Sequence, residues 1–250
     1  MLLQYRAAAL AGLGTQVFWG FIRIMIFGAF YRSTTAPQPM SFAETVTYVW
    51  LGQAFLRMVP WVPDSEVREM IRNGNVAYEL LRPVDLYNLW YSRAIANATS
   101  PTLLRCVPML VLALLFFGMG GPASAASLAA ALVAMVGAVL LACSMANLMS
   151  ISMLWTIAGE GVCNVMAVAV WLLSGMILPI PLFPDKIRIV LTLLPFRGLI
   201  DTPFRLYMGH IPVSHVAPVL AHQLIWTVTL ILFGRWLLQR GTRRLVVQGG

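Results

Sequence analysis

Charge is what this chain has least of. Of its 250 residues only 10% are Asp, Glu, Lys or Arg, 60% are hydrophobic, and mean hydropathy is +0.81. A soluble domain is about 45–50% apolar and about 25% charged, so a fold of this size wrapped in water is excluded. Lysine is nearly absent: Lys186 is the only one, which removes any G-x-x-x-x-G-K-[ST] phosphate loop. The sequence also lacks H-E-x-x-H and G-x-S-x-G. Its three histidines, His210, His215 and His222, all come late and without paired carboxylates nearby in sequence. The cysteines, Cys106, Cys143 and Cys163, are odd in number and form no C-x-x-C, so neither a disulfide framework nor a zinc site is supported. No catalytic residue and no metal ligand set emerges, and no cofactor is expected in this chain.

What remains is long apolar runs. A membrane span needs about 20 mainly apolar residues, and six stretches qualify: about 12–31, 42–62, 94–117, 124–149, 161–183 and 216–238. The first follows only Arg6 and has no small-residue cleavage site, so it reads as a retained span. Tyr31, Trp50, Trp61, Trp90, Tyr91, Trp155 and Trp236 sit near span ends, where interfacial aromatic belts are expected. The reading is an all-α polytopic membrane protein forming one transmembrane domain over 1–250.

The 17 cations outnumber the 9 acids. In a soluble protein such an excess would suggest nucleic acid. Here the arginines flank apolar segments, which fits topology and anionic lipid instead. With the N-terminus inside, the inner segments hold Arg6, Arg57, Arg68, Arg72, Arg82, Arg93, Arg235, Arg240, Arg243 and Arg244. The outer ones hold Arg32, Lys186, Arg188, Arg197 and Arg205. Ten against five places both termini in the cytoplasm, and Arg240-Gly241-Thr242-Arg243-Arg244 is the strongest single contribution.

Two connections are longer than turns. In the inner loop, 63–93, Asp64 can cap a helix whose first turn carries Glu66. Asp64 and Arg68 share a face, and Asn73-Gly74 supplies a left-handed stop. This predicts a polar helix of about ten residues at the cytoplasmic surface. A second short segment runs from Val76 to Arg82, and Asp85–Arg93 is amphipathic. The outer segment, 184–215, contains apolar runs too short to cross, broken by Pro184, Pro195 and Pro203. A re-entrant hairpin accounts for them better than an exposed loop. Arg197 and Asp201 are four apart and could pair across a turn.

Ile71-Arg72-Asn73-Gly74-Asn75-Val76-Ala77-Tyr78-Glu79-Leu80-Leu81-Arg82-Pro83-Val84 resembles the pattern I-x-x-G-x-(hydrophobic)-x-x-x-L-L-R-P-(hydrophobic) of ABC-2 type permeases of bacterial ABC transporters. The similarity is greatest to six-span permeases encoded in pairs beside one ATPase. Leu194-Pro195-Phe196-Arg197 through Leu206-Tyr207-Met208-Gly209 is similar to the family's external stretch. The resemblance covers most of the chain. It implies six transmembrane helices, a cytoplasmic coupling helix and an external re-entrant hairpin, a type V exporter-like architecture. It also implies that Glu66, Arg68, Glu69, Arg72, Asn73 and Gly74 contact an ATPase, and that Pro195, Phe196, Arg197 and Asp201 belong to a hairpin closing the outer end of the pathway. The implied partners are two copies of an ABC ATPase, which binds ATP and Mg, a second permease copy or sister permease, and membrane lipids. The implied location is the bacterial inner membrane, and the implied task is export of an amphipathic substrate such as a lipid, natural product, peptide or drug.

Ionisable groups within spans are costly and are functional candidates by default. Arg23 and Arg105 are the central ones. Either faces the translocation path, pairs with a partner subunit, or snorkels to the interface. Leu173-Ser174-Gly175-Met176 superficially matches the start of an ABC signature motif, but it lies within an apolar run, where small residues let helices approach. An ATP-independent channel or membrane scaffold is the reading from another class, and a membrane-embedded hydrolase is a third.

Overall fold

A computed structural model describes residues 2–155 and 160–242, with side chains from residue 11 onward. Among them there is no strand. The α-helices in chain order are α1 (Leu2–Ser33), α2 (Phe42–Ala54), α3 (Ser65–Arg72), α4 (Val76–Leu80), α5 (Leu86–Phe116), α6 (Ala125–Ser152), α7 (Glu160–Leu173), α8 (Asp185–Leu193), α9 (Asp201–Tyr207) and α10 (Val216–Thr242). Arg6 has no described side chain, and Arg243 and Arg244 lie outside the described residues.

Among the described residues four helices are long and apolar enough to cross a membrane: Ala11–Ser33, Leu86–Phe116, Ala125–Ser152 and the segment Val213–Thr242. Their outward faces are greasy: Met25 and Ile26 on α1, Leu104 on α5, and Ile225 on α10 are all exposed. Lipid tolerates such faces and water does not. The spans expected over 42–62 and 161–183 are different. Helix α2 has 13 residues and α7 has 14, about 20 Å each against a hydrocarbon core of about 30 Å. Neither is a continuous helix over its expected range.

Both breaks are enclosed by protein, the condition under which irregular backbone is tolerated at membrane depth. After α2 the chain passes through a 3-10 turn at Leu56–Met58, and Met58, Val59 and Pro60 are buried. There the Trp61 indole N–H donates to the Leu56 carbonyl at 2.9 Å. After α7, Gly175 turns the backbone left-handed at φ 89°, a conformation that side chains with a Cβ resist. The two breaks are neighbours. Trp61 meets Trp171 of α7 edge to face, with centroids 4.5 Å apart.

The aromatic belt is only partly an edge feature. Trp50 is fully buried and stacks on Phe117 at 4.9 Å, its indole N–H donating to the Phe117 carbonyl at 3.1 Å. Trp90 is also buried. Trp236 is exposed, with the Arg240 guanidinium 4.3 Å from its ring centre. The core runs along α2, α5, α6 and α9, where Met109, Met145, Leu141 and Phe204 are buried together. All three cysteines are buried as free thiols.

Candidate functional site

Two places gather the polar groups that the fold cannot leave unpaired. The first is the inner loop. Asp64 caps α3 as its sequence predicts: Oδ1 accepts the backbone N–H of Glu66 at 2.9 Å and of Val67 at 3.1 Å. The stop is equally local. Asn73 N–H donates to the Glu69 carbonyl at 3.0 Å, and Gly74 is left-handed at φ 73°. The second Asp64 oxygen accepts the Asn97 amide of α5 at 2.7 Å, so the carboxylate holds α5 rather than Arg68. The Asp64 backbone N–H donates to Ser150 Oγ of α6 at 3.3 Å.

Val67 fixes the underside of α3. It is buried in a cluster with Val76, Leu86, Tyr87, Trp90, Ile151 and Leu238, which joins α3 and α4 to α5, α6 and α10. Helix α5 begins at Leu86, so the stretch Asp85–Arg93 is the first part of that helix rather than a separate surface helix. Within this mount lies Glu79, nearly buried. Its carboxylate accepts the Trp90 indole N–H at 2.9 Å and faces Arg93 at 3.8 Å and Arg82 at 3.9 Å. Arg93 also pairs with Glu66. Glu79 and Asn97 carry little local signal in the sequence: nothing marks an acid eleven residues before a tryptophan, or an Asn within an apolar helix, as a partner of another element.

The six proposed contact residues come together on this element. Glu66, Glu69, Arg72, Asn73 and Gly74 are exposed, and Arg68 is half-buried. Glu66 is tied to Arg93, and Glu69 accepts the Asn73 side-chain amide at 2.8 Å. Arg68 and Arg72 form no ion pair among the described residues. With Glu66 paired, Arg68 and Arg72 outnumber Glu69, and the charge left on the helix is positive.

The second place is the break after α7. Arg23 of α1 donates to the carbonyls of Met176 and, at 3.2 Å, Ile177. Those carbonyls belong to backbone that has left the helix, and a cation there does what a cation does at any helix C-terminus. Arg23 thus has partners inside its own chain, more than 150 residues away in sequence and beyond any local pattern. Arg105 lies elsewhere: its guanidinium sits against Gly12 of α1, where a Cβ would stand 3.3 Å away. It forms no ion pair among the described residues.

The outer hairpin is joined to the same break. Asp201, at the first position of α9, is buried; its backbone N–H donates to the Ser174 carbonyl at 3.2 Å. Its Oδ1 accepts from Ile180 N–H at 3.3 Å and from the Tyr48 hydroxyl of α2 at 3.4 Å. Asp201 pairs with Arg205 at 3.6 Å and not with Arg197. The helix starts at Asp201, so four-residue spacing works forward to Arg205, whereas Arg197 lies in the preceding 3-10 turn Pro195–Gly198. The carbonyl of Arg197 accepts the Thr202 hydroxyl at 3.2 Å.

The turn carrying Pro195 and Phe196 is drawn into the bundle. Gln223 of α10 donates one amide nitrogen to both the Gly198 carbonyl, at 2.8 Å, and the Ala134 carbonyl of α6, at 2.9 Å. Ala134 is nine residues into α6, about 14 Å along its axis. At the other end, Tyr207 is level with the turn between α5 and α6, its carbonyl accepting Ala123 N–H at 3.0 Å. The segment thus packs against α6 and α10 at one end and against the turn between α5 and α6 at the other.

Among the described residues no cluster of His, Cys, Asp and Glu suits a metal ion. Comparison with curated proteins and with solved structures gives no match. A family model described as ABC-2 family transporter protein matches residues 17–249, nearly the whole chain. By this match, and with its long apolar helices, the chain belongs to the ABC-2 family of membrane permeases.

Proposed function

We propose that the chain is the transmembrane permease subunit of an ATP-driven exporter, with α3 as the coupling helix that receives motion from a separate ATPase. The observation that carries this reading is the mounting of α3. It is capped and stopped by its own residues, held to α5 by Asn97 and to α6 by Ser150, and anchored below by Val67. A short helix held on three sides transmits a push to the spans instead of bending, and its unpaired Arg68 and Arg72 suit an acidic groove.

The chain has no lysine that could serve a phosphate loop, so the ATPase activity and its ATP and Mg belong to a partner. Two ATPase copies and a second permease, identical or sister, complete the assembly. It sits in a bacterial inner membrane, with both termini cytoplasmic, and moves an amphipathic substrate outward between the permeases.

The test is Arg68→Glu combined with Arg72→Glu. Membrane insertion is expected to be unchanged, while ATP hydrolysis no longer drives transport. Unchanged transport removes α3 from the coupling role. If the purified chain carries out transport with no nucleotide-consuming companion, the ATP-independent channel replaces this reading.

A further inference from the structure

Behind α3 lies a cavity of about 380 Å³, within the usual range for ligand sites. It is enclosed by the irregular segment after α2, by α5 and by α6, with Asp64, Ser65, Glu66 and Val67 as its fourth side. Most of the wall is apolar: Val59 and Trp61, then Ala94 and Pro101 of α5, then Ala142 and Ala146 of α6.

The charges around it are unequal in freedom. Glu66 is neutralised by Arg93, while Asp64 keeps its charge but turns it to the positive N-terminus of α3 and to the Asn97 amide. Arg57, which also lines the cavity, is exposed and has no hydrogen bond or ion pair among the described residues. The unpaired cation at this cavity is a guanidinium, whose planar fork suits a phosphate. Exposed apolar residues extend the same region: Val62 in the wall itself, and Leu104 three residues beyond Pro101 on α5.

We infer that this cavity binds the phosphate-bearing head group of an anionic inner-leaflet lipid, with Arg57 on the phosphate and the acyl chains leaving along the apolar surface near Leu104. The inner leaflet is where such lipids meet basic residues at the membrane surface. The bound lipid touches the root of α3 and two spans at once, so it forms part of the mount through which α3 moves them. The inference rests on the reading that α3 is cytoplasmic.

The test is lipid retention by the full chain, purified in mild detergent without any ATPase and offered equal amounts of phosphatidylglycerol and phosphatidylcholine, read by native mass spectrometry. Phosphatidylglycerol is expected to be retained at least about ten-fold better, the scale of one charge-assisted hydrogen bond. Arg57→Gln abolishes the preference, as does Ala146→Phe, which fills the cavity; Ala94→Leu is the milder filling variant should Ala146→Phe fail to fold. Arg240→Gln, an equal charge loss at the far end of α10, leaves it intact.

Equal retention of the two lipids overturns the inference, as does an equal effect of Arg240→Gln, which would mean general attraction to a basic surface. Displacement of the lipid by inorganic phosphate at similar concentration, with the same dependence on Arg57, assigns the site to a free anion and overturns the lipid. Because no ATPase is present, lipid retention and coupling by α3 fail separately.

Discussion

Asn97 donates its side-chain amide to Asp64 at 2.7 Å, and the same carboxylate caps α3. One acidic group thus starts α3 and fastens it to α5, 33 residues further along the chain. Replacing Asn97 by Leu leaves the cap but removes the fastening. The expected outcome is normal membrane insertion and normal ATPase association with a reduced ratio of transport to ATP hydrolysis. Asp64→Ala removes both and should have the larger effect, with a cap loss of about 1 kcal/mol. Parallel transport and hydrolysis assays on reconstituted vesicles check the ranking.

Gly175 tests the break after α7. A Cβ at this position would stand 2.4 Å from the Tyr48 hydroxyl, and the backbone is left-handed in any case. Gly175→Ala is expected to destabilise through both effects, the backbone part costing about 1–2 kcal/mol. Adding Tyr48→Phe relieves the clash with the hydroxyl and recovers part of the loss, never all of it. Thermal unfolding of the two variants in the same detergent separates the contributions. Full recovery by the second change would mean that the left-handed turn is not required.

Asp201 has two arginines within four residues in either direction, and the structure pairs it with Arg205. Arg205→Gln leaves a buried carboxylate without its ionic partner and should lower thermal stability more than Arg197→Gln does. The reverse order would restore the pairing expected from spacing alone.

Arg23 is held by carbonyls of its own chain. Arg23→Leu removes the donor from two carbonyls and is expected to cost about 1–3 kcal/mol of stability. The relative export of different amphipathic compounds should keep its order. A changed order at unchanged stability would return Arg23 to the translocation path.

The sequence disclosed α3 almost to the residue because cap and stop are local: Asp64 lies two and three residues from the N–H groups it accepts, and Gly74 needs no distant partner. The short helices of 184–215 were legible for a similar reason, since Pro184, Pro195 and Pro203 leave no run long enough to cross. The breaks in 42–62 and 161–183 were hidden because hydropathy runs through them unchanged. The backbone after α2 is served by the Trp61 indole N–H and that after α7 by Arg23 arriving from α1, both invisible to a sliding window. Gly175 and Pro179 were the local hints. Asn97, Glu79 and Gln223 were missed because each gains its role from partners on other elements.

The burial of Cys106, Cys143 and Cys163 has an experimental consequence. A water-soluble maleimide finds no accessible sulfur on the native chain, so the wild-type protein is already a silent background. A reporter thiol placed at Arg72 or at Ser214, both exposed, can be scored for sidedness in intact cells without first stripping three packing residues from the interior.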